Sequence, residues 1–284
     1  MDNNLKLLID RLEAERCLEK NEYKMLIEGF SEEPAAYAAS KADRIRQSIY
    51  GKDVYIRGLI EVSNICANDC LYCGIRKSNA QCARYRLPLE TVLECCRKGY
   101  ELGFRTFVMQ GGEDGFFTAE HICRYVSSIK KIFPDCAVTL SLGEYSKEEY
   151  KAMYDAGADR YLLRHETADE AHYEKLHPAS MSFEKRMKCL ENIKETGFQT
   201  GCGFMVGSPY QTSDTLAADL KFIEKFKPHM CGIGPFIPHK DTPFGSCPAG
   251  TAELTVYLLS LIRLIRPDIL LPATTALGTI DAMG

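Results

Sequence analysis

The chain has 284 residues, with 39 Asp and Glu against 35 Lys and Arg, a formal net charge of −4, no Trp and 13 Cys. Near-balanced charge gives no electrostatic footprint for nucleic acid or an acidic membrane surface, so neither is expected as a partner. The odd cysteine count, a length beyond small disulfide scaffolds and the polar start Met1-Asp-Asn-Asn-Leu-Lys6 point to reduced thiols and a cytoplasmic protein, and no apolar run reaches the ~18 residues of a membrane span.

Residues 3 to 47 have a helical pattern, with Leu5, Leu8, Leu12, Tyr23 and Leu26 recurring among charges, so a helical extension is expected over 1–48. From there short apolar, β-branched runs recur at 54–62, 105–110, 137–142, 159–166, 199–206, 230–237 and 269–275. Helical patterns lie between them at 89–102, 118–132, 147–156, 182–196, 213–226 and 251–265. After the first gap the strand starts fall roughly 22 to 40 residues apart, near the period of a strand with its returning helix. Residues 49–284 therefore read as an α/β fold, a TIM-type β/α barrel with seven recognisable units. Gly103, Gly157 and Gly197 stand where helices end before the next strand.

Directly after the first strand comes Cys66-Ala-Asn-Asp-Cys70-Leu-Tyr-Cys73. Three thiolates at this spacing suit three corners of an iron-sulfur cube, whereas structural zinc sites and electron carriers use four ligands. A zinc knuckle that borrows Cys82 is the competing reading. The other ten cysteines, at 17, 82, 95, 96, 123, 136, 189, 202, 231 and 247, read as small buried hydrophobes.

The second strand ends in Gln110-Gly-Gly-Glu-Asp114, whose glycines Gly111 and Gly112 allow a close backbone approach. Thr139, Ser141 and Gly143 share a face of the third strand, with hydroxyls to offer. On the fourth, Arg160, Arg164 and Glu166 share one face by the period of two, and a charged inner face is not a simple packed core. His165 faces the other way, toward the helices. Arg186 lies in a first helical turn, where a cation opposes the helix dipole and an anionic ligand is welcome. Two late stretches, Gly232 to Pro243 and Pro272 to Gly278, have the form of active-site loops, and Thr274 and Thr275 supply neutral donors.

The cysteine spacing resembles the radical S-adenosylmethionine (SAM) superfamily, which often has an aromatic residue before the last cysteine, here Tyr72. Within it the chain is similar to the HydE family of FeFe-hydrogenase maturases. Asn68 to Arg76, Thr139 to Glu144, Gly157 to Ala168, Gly232 to His239 and Pro272 to Ala276 carry that likeness. The resemblance implies a 4Fe-4S cluster on Cys66, Cys70 and Cys73 whose open iron chelates SAM, and an electron that splits the sulfonium to give a 5′-deoxyadenosyl radical. It implies SAM contacts from Tyr72, Gln110, Gly111, Gly112, Thr139, Ser141, Arg164, Glu166 and Arg186. Arg160, Met230, Thr274 and Thr275 would line the substrate end of the cavity, which takes a small iron-cysteinate bearing carbon monoxide and cyanide. Companion hydrogenase maturases and an electron donor are the implied partners.

Family members continue past the Ala-Thr-Thr-Ala strand into an eighth strand, so a barrel lacking its last strand, and hence a fragment of a longer product, is the expectation here. Two alternatives stand beside the maturase reading. One is a methylornithine synthase or biotin-synthase-like enzyme acting on an organic substrate, the other a non-enzymatic iron-sulfur carrier or scaffold.

Overall fold

The structure, a computed structural model, describes residues 2–280. The chain starts with three helices, α1 (Asn3–Glu15), α2 (Lys20–Glu28) and α3 (Glu32–Tyr50). Asp2 caps α1 by accepting from Asn4 N–H, and Glu19 with Glu22 forms a capping box on α2. There follow β1 (Gly58–Ser63), α4 (Leu89–Glu101), β2 (Thr106–Gly111), α5 (Ala119–Ile132), β3 (Ala137–Ser141), α6 (Lys147–Asp155) and β4 (Arg160–Leu162). After β4 come α7 (Glu170–Leu176), α8 (Phe183–Thr196), β5 (Gln199–Cys202), β6 (Met205–Val206) and α9 (Ser213–Phe226). The last elements are β7 (Met230–Cys231), β8 (Gly234–Pro235), α10 (Ala252–Ile265) and α11 (Thr275–Ile280).

All pairings within the main sheet are parallel, in the order β1-β2-β3-β4-β5-β7, and β6 pairs with β8 just beyond β5 and β7. Leu270 adds a parallel bridge to Met230, which seats a seventh segment beside β7. This is the curled sheet of a TIM-type barrel, open between β1 and the Leu270 segment. The outward side chains Phe107, Met109, Val138, Leu140, Tyr161 and Leu163 are buried under the helices. Leu8, Ile9, Leu12, Tyr23 and Leu26 of α1 and α2 join that same core, where α2 packs on α9 and α3 on α10.

Three strands differ from the sequence pattern for local reasons. The fourth pairs only over Arg160–Leu162, because Glu166 takes φ +66° and rejoins the ladder as a lone bridge to Phe204. The fifth breaks at Gly203, which lies so close to Gly232 that a Cβ there would meet its carbonyl oxygen at 2.0 Å. The run 269–275 yields only the Leu270 bridge, since Thr274 Oγ1 accepts from Leu277 N–H and starts α11. Helix α7 has no strong apolar period and was not foreseen; Asp169 starts it by capping His172 N–H at 2.8 Å. Gly103, Gly157 and Gly197 have φ of +91°, +107° and +108°, as the helix-end reading requires. Of the ten cysteines read as buried, Cys96, Cys136, Cys189, Cys202 and Cys231 are, whereas Cys17 and Cys95 are exposed because they lie on the outer faces of their segments.

Candidate functional site

At the C-terminal end of β1 the chain enters a long loop without regular structure before returning at Arg86. Side chains give the loop its shape. Asp69 accepts from Arg76 Nε at 2.7 Å, Ser78 N–H at 3.0 Å and Ser78 Oγ at 2.8 Å. Ala67 N–H donates to Glu113 O at 2.8 Å and Leu71 N–H to Leu176 O at 3.0 Å, which ties the loop to the ends of two other units. Cys66, Cys70 and Cys73 are all half-buried. Burial, then the neighbouring Cys73 and Cys66, push the Cys70 thiol up to about 12, and burial also raises Cys73. Thiols gathered in so poorly solvated a place favour a metal that replaces their protons. Among the described residues no three His, Cys, Asp or Glu converge on a single ion. A cluster that offers a separate iron to each thiolate does not require such convergence.

Gly111 and Gly112 serve the cysteine loop directly. A Cβ on Gly111 would meet Ser63 O at 2.9 Å; one on Gly112 would meet Ile65 O at 2.3 Å and Cys66 Cβ at 2.8 Å. The close approach that these glycines permit is therefore to the backbone that carries Cys66. Beside them Gln110 stands in register with Glu61 and Ser141 on the inner face.

Across the mouth lies the polar end of the fourth strand. The alternation is as the period of two requires, with Tyr161, Leu163, His165 and Thr167 buried and Arg164 and Glu166 half-exposed toward the interior. Arg164 Nη2 stands 3.0 Å from Glu166 Oε2, yet Arg164 Nε and Nη2 and Glu166 Oε2 are all buried without a well-aligned hydrogen bond. A left-handed conformation at a residue other than glycine costs about 1–3 kcal/mol and persists only where surroundings enforce it. Glu166 is in that state, next to buried polar atoms without aligned hydrogen bonds, which is how a ligand cradle is built.

Arg186, in the first turn of α8, is not solvated. Its Nε lies 2.8 Å from Glu144 Oε1 and its Nη2 3.4 Å from Glu113 Oε1, and Lys185 holds the other Glu144 oxygen at 3.0 Å. Burial works against its charge, but Glu144 and Glu113 outweigh it and hold the guanidinium protonated. Burial raises Glu113 above the usual carboxylate range despite Arg186. Gly143, at φ +96°, makes room for this group, because a Cβ there would strike Glu113 Cγ at 2.1 Å. Tyr72 donates its hydroxyl to His177 Nε2 at 3.1 Å, while His177 Nδ1 donates to Tyr173 O at 2.9 Å and its ring stacks on Tyr173.

The remaining residues singled out in the sequence lie elsewhere. Thr139 is buried beside Val108 and Arg160. Arg160 donates to Gln199 Oε1 at 2.7 Å and Thr106 Oγ1 at 3.3 Å, at the N-terminal end of the strands. Arg164 lies four positions further along the chain, a rise of about 13 Å in extended backbone. Arg57 is close by, lowered by burial and then by the charge of Arg160, and a cavity of about 610 Å³ opens beside it, away from the thiols. Met230 is buried in register with Gly201 and Leu162, Thr274 donates to Ile233 O at 3.3 Å, and Thr275 is exposed at the start of α11.

Glu113, Glu144, Tyr173, His177 and Asp219 belong to the site or its support and were not picked out from the sequence. One signal was available for the first two: each directly follows a glycine at the C-terminal end of a strand, the position from which barrel sites are built.

Comparison with known proteins agrees with this geometry. The family model described as the Radical SAM superfamily matches residues 60–223. The maturase subunit HydE of FeFe-hydrogenase from Thermotoga maritima is 48% identical over 84% of this chain and 68% of its own length. The 3-methylornithine synthase of Methanosarcina acetivorans is 26% identical over 99% of this chain and 75% of its own. A crystal structure of methylornithine synthase superposes with a TM-score of 0.85 at 24% identity, covering 94% of this chain and 78% of that one, a likeness of fold. With a family model across more than half its length and near-half identity to a maturase, the chain is a radical SAM enzyme and belongs to the HydE family.

Proposed function

We propose that this chain holds a 4Fe-4S cluster on Cys66, Cys70 and Cys73, binds SAM beside it, and works in the assembly of the diiron centre of FeFe-hydrogenase. The observation that carries this reading is three half-buried thiols on one loop near Glu166 and Arg186, with polar atoms of Arg164 and Glu166 buried without an aligned hydrogen bond. When bound, the reduced cluster supplies the electron that splits the sulfonium of SAM into methionine and a 5′-deoxyadenosyl radical. The chain's own part is enclosure, orientation and charge. Arg186 takes the carboxylate of the ligand, Glu166 a hydroxyl or amine, and Tyr72, fixed by His177, closes the side next to Cys73. Gln110, Gly111, Gly112, Ser141 and Arg164 complete the cofactor end, whereas Thr139, in register with Arg160, falls toward the substrate end.

The substrate is a small iron-cysteinate with carbon monoxide and cyanide ligands, delivered by a companion maturase, and an electron donor docks near the cysteine loop. Arg160, Met230 and Thr274 line its end of the interior, whereas Thr275 is exposed at the start of α11. Support for this substrate over an organic one is the 48% identity to a hydrogenase maturase, against 26% to a methylornithine synthase.

Anaerobically reconstituted protein is expected to bind one cluster and to cleave SAM on reduction. An unchanged cleavage rate in Cys70→Ser would sink the assignment. Hydrogenase maturation in vitro, with and without this protein, run beside an assay of lysine-to-methylornithine conversion, separates the two substrate classes.

A further inference from the structure

Arg84 lies where the cysteine loop returns toward the sheet, and its guanidinium is spent entirely on that loop. Nη1 donates to Asn64 O at 2.6 Å and Ile75 O at 2.8 Å; Nη2 donates to Arg76 O at 2.6 Å and Asn79 O at 3.2 Å. These acceptors bracket the three cysteines, one lying before Cys66 and three after Cys73. In a planar peptide the N–H points opposite to the C=O, so each carbonyl held by Arg84 aims the next residue's N–H the other way. Three of those N–H groups close the loop. Ile65 N–H donates to Ser63 Oγ at 3.1 Å, Arg76 N–H to Cys73 O at 3.1 Å, and Lys77 N–H to Asn68 O at 2.8 Å.

Charge adds a second element. Among the described residues no carboxylate forms an ion pair with Arg84, in contrast to Arg76, which is held by Asp69, and Arg86, held by Asp114. The guanidinium, a cation by its nature, is half-buried, and its bonds to Ile75 O and Arg76 O hold it within two to three residues of Cys73. A long loop without helix or strand carries a large ordering cost, and a planar fork that grips four carbonyls is suited to meeting it.

We infer that Arg84 is a positioning residue for the cluster: it holds the loop of Cys66, Cys70 and Cys73 in ligand geometry and places an uncompensated positive charge beside it. This rests on the cluster assignment proposed above. The charge stabilises the added electron and raises the cluster's reduction potential.

The test compares the whole chain as wild type, Arg84→Gln and Arg84→Lys after anaerobic reconstitution, by iron retention against a chelator, midpoint potential from electron paramagnetic resonance, and melting before loading. Loss of a partner behind a metal ligand typically costs about tenfold or more in metal affinity, so Arg84→Gln should lose iron about tenfold more readily. Its remaining cluster should have a more negative midpoint potential than wild type. Arg84→Lys should keep the wild-type potential but retain iron less well, since an ammonium cannot span four carbonyls. Wild-type retention and potential in Arg84→Gln would overturn the inference. If Arg84→Gln fails to fold, Arg84→Lys decides: weaker retention at native melting supports the role, wild-type retention removes it. A wild-type chain that takes no cluster ends both this inference and the reading beneath it, whereas equal loading of wild type and Arg84→Gln ends this one alone.

Discussion

His165 Nε2 stands 3.3 Å from Asp219 Oδ1, and neither side chain has any exposed surface. His165 Nδ1 accepts from Gly203 N–H at 3.3 Å, which leaves the proton on Nε2, near Asp219 but without an aligned hydrogen bond to it. The same Asp219 oxygen accepts from Ala168 N–H at 2.6 Å. One carboxylate on α9 thus bonds the chain just after Glu166 and packs against His165 just before it, and the φ of +66° at Glu166 needs such enforcement.

Asp219→Leu should therefore act on the site through Glu166. It leaves the Ala168 N–H without its acceptor, a loss of about 1–3 kcal/mol. Urea unfolding of the apoprotein measures that loss. Calorimetric titration of SAM into cluster-loaded protein should show weakened binding, and Asp219→Asn, which keeps an acceptor oxygen for Ala168, should restore part of it. SAM affinity unchanged in Asp219→Leu would limit this residue to stability.

Gly112→Ala tests the packing under the cysteine loop. The new methyl would meet Ile65 O at 2.3 Å, so backbone must move. Overpacking of this kind costs about 1–3 kcal/mol. The expected result is a lower midpoint of denaturation together with poorer cluster loading, because the atom displaced belongs to the segment that carries Cys66.

Glu144→Ala removes the shorter of the two contacts that neutralise buried Arg186. Breaking a buried ion pair from one side typically costs about 3–5 kcal/mol, here reduced by the remaining Glu113 contact at 3.4 Å. Equilibrium unfolding should place Glu144→Ala near the lower end of that range. Glu144→Ala/Arg186→Met should be less destabilised than the sum of the single changes, since no charge is then left unpaired.

His177 gives the fold a dependence on pH. Burial holds its ring down to about 4, against 6.5 for the unfolded chain. Between these values the unfolded state takes up the proton more readily, so the contribution is present above about pH 6.5 and is lost as pH falls toward 4. At pH 5 the loss is about 2 kcal/mol. Thermal melts at pH 7 and 5 should show a smaller drop for His177→Gln than for wild type, and equal drops would mean that the ring titrates as it does in the unfolded chain.

Much of the architecture was legible along the chain because it depends on short-range periodicity. The alternation at 160 to 167 is a covalent property of extended backbone, and the structure keeps it even where pairing stops at Leu162. The 3.6-residue pattern placed α4 to α6 and α8 to α10, while short α7 and α11 depend on single capping residues, Asp169 and Thr274, which look like ordinary loop residues in sequence.

At the site, the C-x3-C-x2-C spacing identified the thiols and their likeness to a family without any fold, since three ligands on one loop are positioned mostly by chain connectivity. What no local pattern contained is who meets whom across the mouth. Arg186 read as a lone cation that opposes its helix dipole; only the curling of the sheet brings Glu113 and Glu144, from the ends of two other strands, onto its guanidinium. Likewise Asp219 sits more than fifty positions from Glu166 in sequence, and Arg84 shows its purpose only once Asn64 and Asn79 face it from both ends of a folded loop. Such contacts join residues distant in sequence, and their energies depend on burial that exists only after the strands and helices have packed.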